Sequence, residues 1–235
     1  MLEPLISELA ETRTVWALDT PGYGSSDPVE EPDPSAGDYA DALADTVLAA
    51  GLQTFDIYGA HTGAKIALEL AIRRPDLIRR LILDGLSVYT ASEREQHLAN
   101  YAPAIEPESD GSHLLRYWNM RRDMHVYFPW YLQTEATRMD REIPGPEELH
   151  DHIVDFLMAG SGYGKGYRAA FTHNTDEALD ALEVPTLILA SPRDPVRAHL
   201  ERVNTSEMVT VAAPNPAEDP VLAVSRRVVA FLGEN

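Results

Sequence analysis

Apolar positions along this chain recur in two alternating rhythms. Leu2 to Leu9 repeats apolar residues at helical spacing, and "TVWALD" (14–19) is a short β-branched and apolar run that predicts a strand. "DYADALADTVLAAG" (38–51) returns to helical spacing, with Asp38 near its start and Gly51 where a C-cap belongs. "TFDIYG" (54–59) predicts the next strand, Thr62 to Arg74 the next helix, stopped by Pro75, and "RRLILDG" (79–85) a further strand. The same alternation closes the chain, with strands at "VPTLILA" (184–190) and "EMVTVAA" (207–213) and helices near Pro195 to Val203 and from Pro220 to Leu232. Strands alternating with helices predict an α/β fold, a mostly parallel sheet with helices on both faces.

Residues 90–180 break the rhythm. They read as helical and aromatic-rich, as in "RYWNMRRDMHVYFPWYL" (116–132), with breaks at Pro144, Pro146 and "GSGYGKG" (160–166). The organisation expected is a core of residues 1–89 and 181–235 with a helical cap, 90–180, inserted over the C-terminal strand ends, where such sheets bind ligands. Trp118, Tyr127 and Trp130 are candidate substrate-binding residues under that cap, with packing among the cap helices as the rival role. The glycine run has neither the spacing nor the following Ser or Thr of a phosphate loop and reads as a flexible joint.

The stretch "DIYGAHTGAKIALEL" (56–70) carries the chemistry: a buried strand, a tight glycine-flanked turn and a helix start. This is the build of a nucleophile elbow, whose central residue is forced into a strained backbone conformation and needs small neighbours two positions either side. The plain alternative is a strand-to-helix turn whose glycines serve packing. The central residue is His61. An imidazole at a helix N-terminus is favoured in its neutral form, suited to a general base for water or a transient nucleophile. The opposing reading is a ring that fills the pocket without chemistry.

Composition narrows the partners. With 38 acidic and 19 basic residues the net charge is −19, which repels phosphate backbones and anionic lipid and excludes nucleic acid and membrane as expected partners. There are no cysteines, consistent with a cytoplasmic protein without disulfides or thiolate metal sites. His150 and His152 stand two apart, whereas helical zinc ligands want four-residue spacing, so no metal and no cofactor are expected. The acidic N-terminus lacks the basic region and cleavage site of a signal peptide.

Taken together these motifs resemble the α/β-hydrolase superfamily. The elbow pattern G-x-S-x-G reads here Gly59, Ala60, His61, Thr62, Gly63, and "LDTPGYGSSD" (18–27) is similar to the family's D-x-P-G-x-G-x-S segment. "RRPDLIRRLILDG" (73–85) follows the family's path from elbow helix to next strand, and "VPTLILASPRDPV" (184–196) resembles the segment presenting the catalytic acid, which falls on Asp194. "PAEDPVLAVSRRVVAFL" (216–232) is similar to the closing helix. The resemblance covers nearly the whole chain and implies a hydrolase of a small, partly apolar molecule, with the Thr62 N–H as an oxyanion donor and Asp194 supporting a histidine.

Three departures qualify that expectation. Histidine replaces the elbow serine. The family's histidine after the last strand is absent, since the loop reads "AAPNPAEDP" (212–220) and no histidine follows His199; His173 is a candidate to return to the pocket in its place. The family's N-terminal strands, with the oxyanion loop, precede a helix like "LISELAETR", where this sequence begins. In the family's strand order one of them lies between the runs at 14–19 and 54–59, which must otherwise pair directly or leave backbone donors unpaired. A start placed too late and a naturally shortened relative are both open. So are three functions: a hydrolase with non-serine chemistry at His61, a non-catalytic protein binding a small ligand or a partner chain, and a homodimer completing the sheet edge with a partner strand.

Overall fold

The computed structural model describes residues 2–215 and 217–233. Contacts divide the chain into two units, one of residues 1–19, 36–88 and 173–235, the other of 20–35 and 89–172.

In the first unit, helices α1 (Glu3–Ala10) and α2 (Ala36–Ala49) precede strand β1 (Phe55–Ala60), and helix α3 (Thr62–Arg73) links it to β2 (Ile78–Asp84). Strands β3 (Thr186–Leu189) and β4 (Val209–Ala212) complete a parallel sheet in the order β1-β2-β3-β4. The central strands carry continuous apolar runs because both faces are covered: Leu81, Ile82, Leu83, Ile188 and Leu189 are each no more than 1% exposed. On one side Ile82, Leu187 and Leu189 pack with Leu5 of α1 and with Val224, Val228 and Leu232 of the C-terminal helix Pro220–Gly233. Helix α3 buries Ala64, Ile66, Ala67, Leu68 and Leu70, and the Arg74 N–H closes its last turn on the Leu70 carbonyl before Pro75.

The run 14–19, expected as a strand, is irregular. Trp16 is 54% and Leu18 44% exposed, and neither residue belongs to a described strand. A β-branched, apolar run becomes a strand only when a neighbour supplies its ladder of donors and acceptors. Among the described residues β1 pairs with β2 alone, so direct pairing between 14–19 and 54–59 does not occur. The helix expected near Pro195 to Val203 is a 3-10 turn, Arg197–Arg202. Its sharper winding fits local anchors: the Val88 N–H donates to Nδ1 of buried His199 at 3.0 Å, and Arg202 donates to the Val88 carbonyl at 2.9 Å.

The second unit contains α4 (Ala91–Asn100), α5 (Ser112–Val126), α6 (Pro146–Ala159) and α7 (Gly164–Thr172). Thr90 and Glu93 form a reciprocal capping box at the start of α4. Pro146 opens α6 instead of breaking a helix, since the first helical position needs no N–H. The glycine run is a packed turn and not a loose joint: the Tyr23 hydroxyl donates to the Tyr163 carbonyl at 2.7 Å and accepts from the Gly166 N–H at 3.0 Å. A Cβ at Gly166 would lie 2.6 Å from that hydroxyl, which is why glycine stands there.

Between α5 and α6 the rings of His125 and His152 stack with centroids 5.3 Å apart, and His125 Nε2 and His152 Nδ1 are buried without a hydrogen-bond partner. Burial, then the nearby Arg121 charge, pushes His125 down to about 4. Burial and Arg121 lower His152 in the same direction. The folded state therefore holds neutral rings that the unfolded chain protonates once pH falls below the ordinary histidine value. The stabilisation is complete above about pH 6.5 and is lost as pH falls through about 4. His125 is only half-buried, so screening reduces its share to about 1–2 kcal/mol. Urea melts followed by tryptophan fluorescence at pH 7 and pH 5 are expected to show this loss, and His125→Gln to flatten it.

Candidate functional site

The elbow is built by close approach of backbone to backbone. A Cβ at Gly59 would sit 2.2 Å from the Gly63 carbonyl oxygen, so the glycine lets the first turn of α3 press on the end of β1. His61, between them, has φ 51 and ψ −108 and is the one non-glycine residue with positive φ among those described. Its N–H donates to the Asp84 carbonyl at 2.9 Å, which ties the strained turn to the end of β2. Gly63 was expected to be small for the same reason, yet nothing lies within 4 Å of the Cβ it lacks. The steric demand falls on Gly59 alone.

The imidazole of His61 points to the loop after β3, where Nε2 stands 3.3 Å from Asp194 Oδ2. The Asp194 side chain is 7% exposed and that of His61 49% exposed, so the carboxylate is enclosed while the ring meets solvent. Asp194 is held by its own loop: Oδ1 accepts from the Val196 N–H at 2.8 Å, and the Asp194 N–H donates to Ser191 at 3.0 Å. Gly85, with φ 64, makes the pair possible. A Cβ there would meet His61 Cε1 at 2.7 Å, Nδ1 at 2.8 Å and Asp194 Oδ2 at 2.9 Å. Thr62 is the first residue of α3, where a helical N–H has no intrahelical acceptor and is free to face an anion beside His61.

The other expected site residues have partners of their own. His173 does not join the pair: Nε2 engages Glu69 of α3 at 3.0 Å and Nδ1 engages Thr175 at 3.1 Å, with the side chain 4% exposed. It ties α3 to the chain entering the helix Thr175–Asp180. That hydrogen bond, more than Arg73, holds the Glu69 carboxyl below its usual range. Trp118 and Trp130 pack against the second unit's core of Ile105, Tyr117, Met120, Ile153 and Tyr163, and the Trp130 indole donates to the Tyr101 carbonyl at 2.9 Å. Tyr127 ends α5 and bridges to Arg138.

Two residues that sequence reasoning passed over adjoin the pair. The Tyr58 hydroxyl of β1 donates to Asp84 Oδ2 of β2 at 2.5 Å, and Asp84 Oδ1 is buried with no partner. Burial raises the Asp84 carboxyl above its usual range and the Asp194 charge adds to this, while the Tyr58 hydrogen bond and His61 act the other way. Burial, then Asp84, drives the Tyr58 hydroxyl far up, so it serves as a donor throughout the working range. The signal available was an aspartate closing a buried strand at the carboxyl end of a parallel sheet, where ligands bind.

Comparison with known proteins identifies the fold. The description of the α/β hydrolase fold matches residues 2–126. Two proteins named 2-hydroxymuconate semialdehyde hydrolase are similar over shorter stretches. The one from Pseudomonas putida is 37% identical over 76 residues, 32% of this chain and 27% of that protein. The one from Pseudomonas sp. (strain CF600) is 35% identical over 81 residues, 34% of this chain and 29% of that protein. The match thus spans under a third of either relative. Among solved structures, MGS-M2, an α/β hydrolase enzyme from a Medee basin deep-sea metagenome library, superposes with a TM-score of 0.70 at 16% identity over 100% of this chain and 84% of that one. A variant of the meta-cleavage product hydrolase CumD gives 0.71 at 19% identity over 100% and 85%. No described helix is long and apolar enough to cross a membrane. With the elbow, the acid-bearing loop and the parallel sheet all in place, and more than half its length matched, the chain belongs to the α/β hydrolase fold family.

Proposed function

We propose that the protein hydrolyses a small, partly apolar carbonyl compound with the His61–Asp194 pair as general base. The observation that carries this is the 3.3 Å approach of His61 Nε2 to Asp194 Oδ2 at the elbow, with the ring open to solvent. If Nε2–H faces the carboxylate, Nδ1 holds the free lone pair. It takes a proton from water as the water oxygen bonds to the substrate's carbonyl carbon. The carbonyl electrons move onto oxygen, where the Thr62 N–H at the start of α3 stabilises the charge. When the carbonyl re-forms, the leaving group departs with the proton from the imidazolium, and base and acceptor return to their starting states.

Magnitudes shape the expectation. A positioned general base contributes about 10²–10⁴-fold, so without the activated nucleophile of a full Ser-His-Asp enzyme turnover is expected to be slow yet measurable. The test is a panel of activated esters together with 2-hydroxymuconate semialdehyde, the compound in the relatives' names, run on the native chain and His61→Ala. Equal inertness of the two would sink the hydrolytic reading.

A further inference from the structure

We propose that Asp84 is a second carboxyl of this site, carrying a proton and held by Tyr58, so that Asp194 faces His61 as the anionic partner. As a role in turnover it rests on the hydrolytic reading above. The geometry points to it in three ways. Asp84 ends β2 opposite Ala60, one residue before the elbow histidine, and its carbonyl accepts the His61 N–H. Its Oδ1 is shut off from solvent without a partner, a placement far costlier for an ionised oxygen than for a neutral one. Its Oδ2 receives the Tyr58 hydroxyl at 2.5 Å, which holds the carboxyl in one orientation. The titratable groups acting on Asp84 are Tyr58 of β1, His61 of the elbow and Asp194 of the loop after β3. Two carboxylates beside one imidazole resist double ionisation. Asp194 has a backbone N–H and the imidazole to offset its charge, whereas Asp84 has a single hydroxyl.

Asp84 is thus a positioning residue that acts through the pair. While it keeps its proton, the developing oxyanion beside Thr62 meets no extra negative charge. Once it ionises, that charge opposes the negative charge developing on the carbonyl oxygen, and turnover falls.

The experiment reads the carboxyl and the reaction separately. In the native protein the ¹³C carboxyl resonance of Asp84, assigned by its disappearance in Asp84→Asn, is expected to deprotonate at higher pH than the exposed aspartates; titration together with them overturns the proposal. This measurement needs no turnover, so an inert protein whose Asp84 still holds its proton refutes the hydrolytic reading and not the proton on Asp84. In the pH profile of ester turnover, the alkaline decline is expected to be lost in Asp84→Asn. In Tyr58→Phe it is expected to shift to higher pH, because the hydroxyl favours the ionised carboxyl. A decline that neither substitution moves overturns the role in turnover.

Discussion

His61→Ser is expected to hydrolyse activated esters no faster than His61→Ala, both falling about 10²–10⁴-fold below the native chain. Serine is the residue the elbow pattern calls for, so intuition favours a gain. The geometry argues the opposite. A serine hydroxyl is a weak nucleophile until an imidazole takes its proton, and in the first unit the only histidines besides His61 are His173 and His199. Both ring nitrogens of His173 are engaged by Glu69 and Thr175, and buried His199 receives the Val88 N–H. Asp194 would then face a hydroxyl with no histidine of the first unit between them. Backbone strain does not confuse the result, because serine and histidine both carry a Cβ at φ 51. Thermal midpoints of the two variants should match within a few degrees. Turnover by His61→Ser at or above the native level would show that another base reaches the elbow, and the His61–Asp194 reading would fall.

Apolar rhythm made most of the sheet legible and little of the chemistry around it. Strand β1 lies one residue from its expected span because "TFDIYG" is apolar, β-rich and bounded by turn residues, signals that local sequence carries in full. The run 14–19 carries the same local signals and is not a strand, since strand formation is decided by a neighbour and not by the run itself. Likewise spacing along the chain does not reveal partners: Tyr58 and Asp84 are 26 residues apart and meet because β1 and β2 are in parallel register, with Ala60 opposite Asp84. The family resemblance alone points to Asp194, and its partner in the structure is the elbow residue itself. The family's pattern implies a histidine arriving from elsewhere, but His173, the candidate for that place, engages an acid on α3.

Gly59→Ala is expected to destabilise the protein by about 3 kcal/mol or more, the range in which core overpacking and backbone displacement fall together. The added Cβ would lie 2.2 Å from the Gly63 carbonyl oxygen, 2.6 Å from its carbon and 2.8 Å from the Ala64 nitrogen. All three are backbone atoms in the first turn of a helix whose apolar face is buried, so no side chain can swing aside. Relief requires α3 to lift from β1, which also breaks the His61 N–H bond to Asp84 and moves the ring from Asp194. Against a total stability of about 5–15 kcal/mol for a typical domain, a loss of this size shows as a lower urea midpoint and reduced soluble yield. Gly63→Ala is the matched control, four residues along in the same motif and with nothing within 4 Å of its Cβ. Its helical position favours alanine, and its stability is expected to rise by up to about 1 kcal/mol. Comparable losses from the two substitutions would mean that the elbow needs conformational freedom at both glycines, and that close approach at Gly59 is not what shapes it.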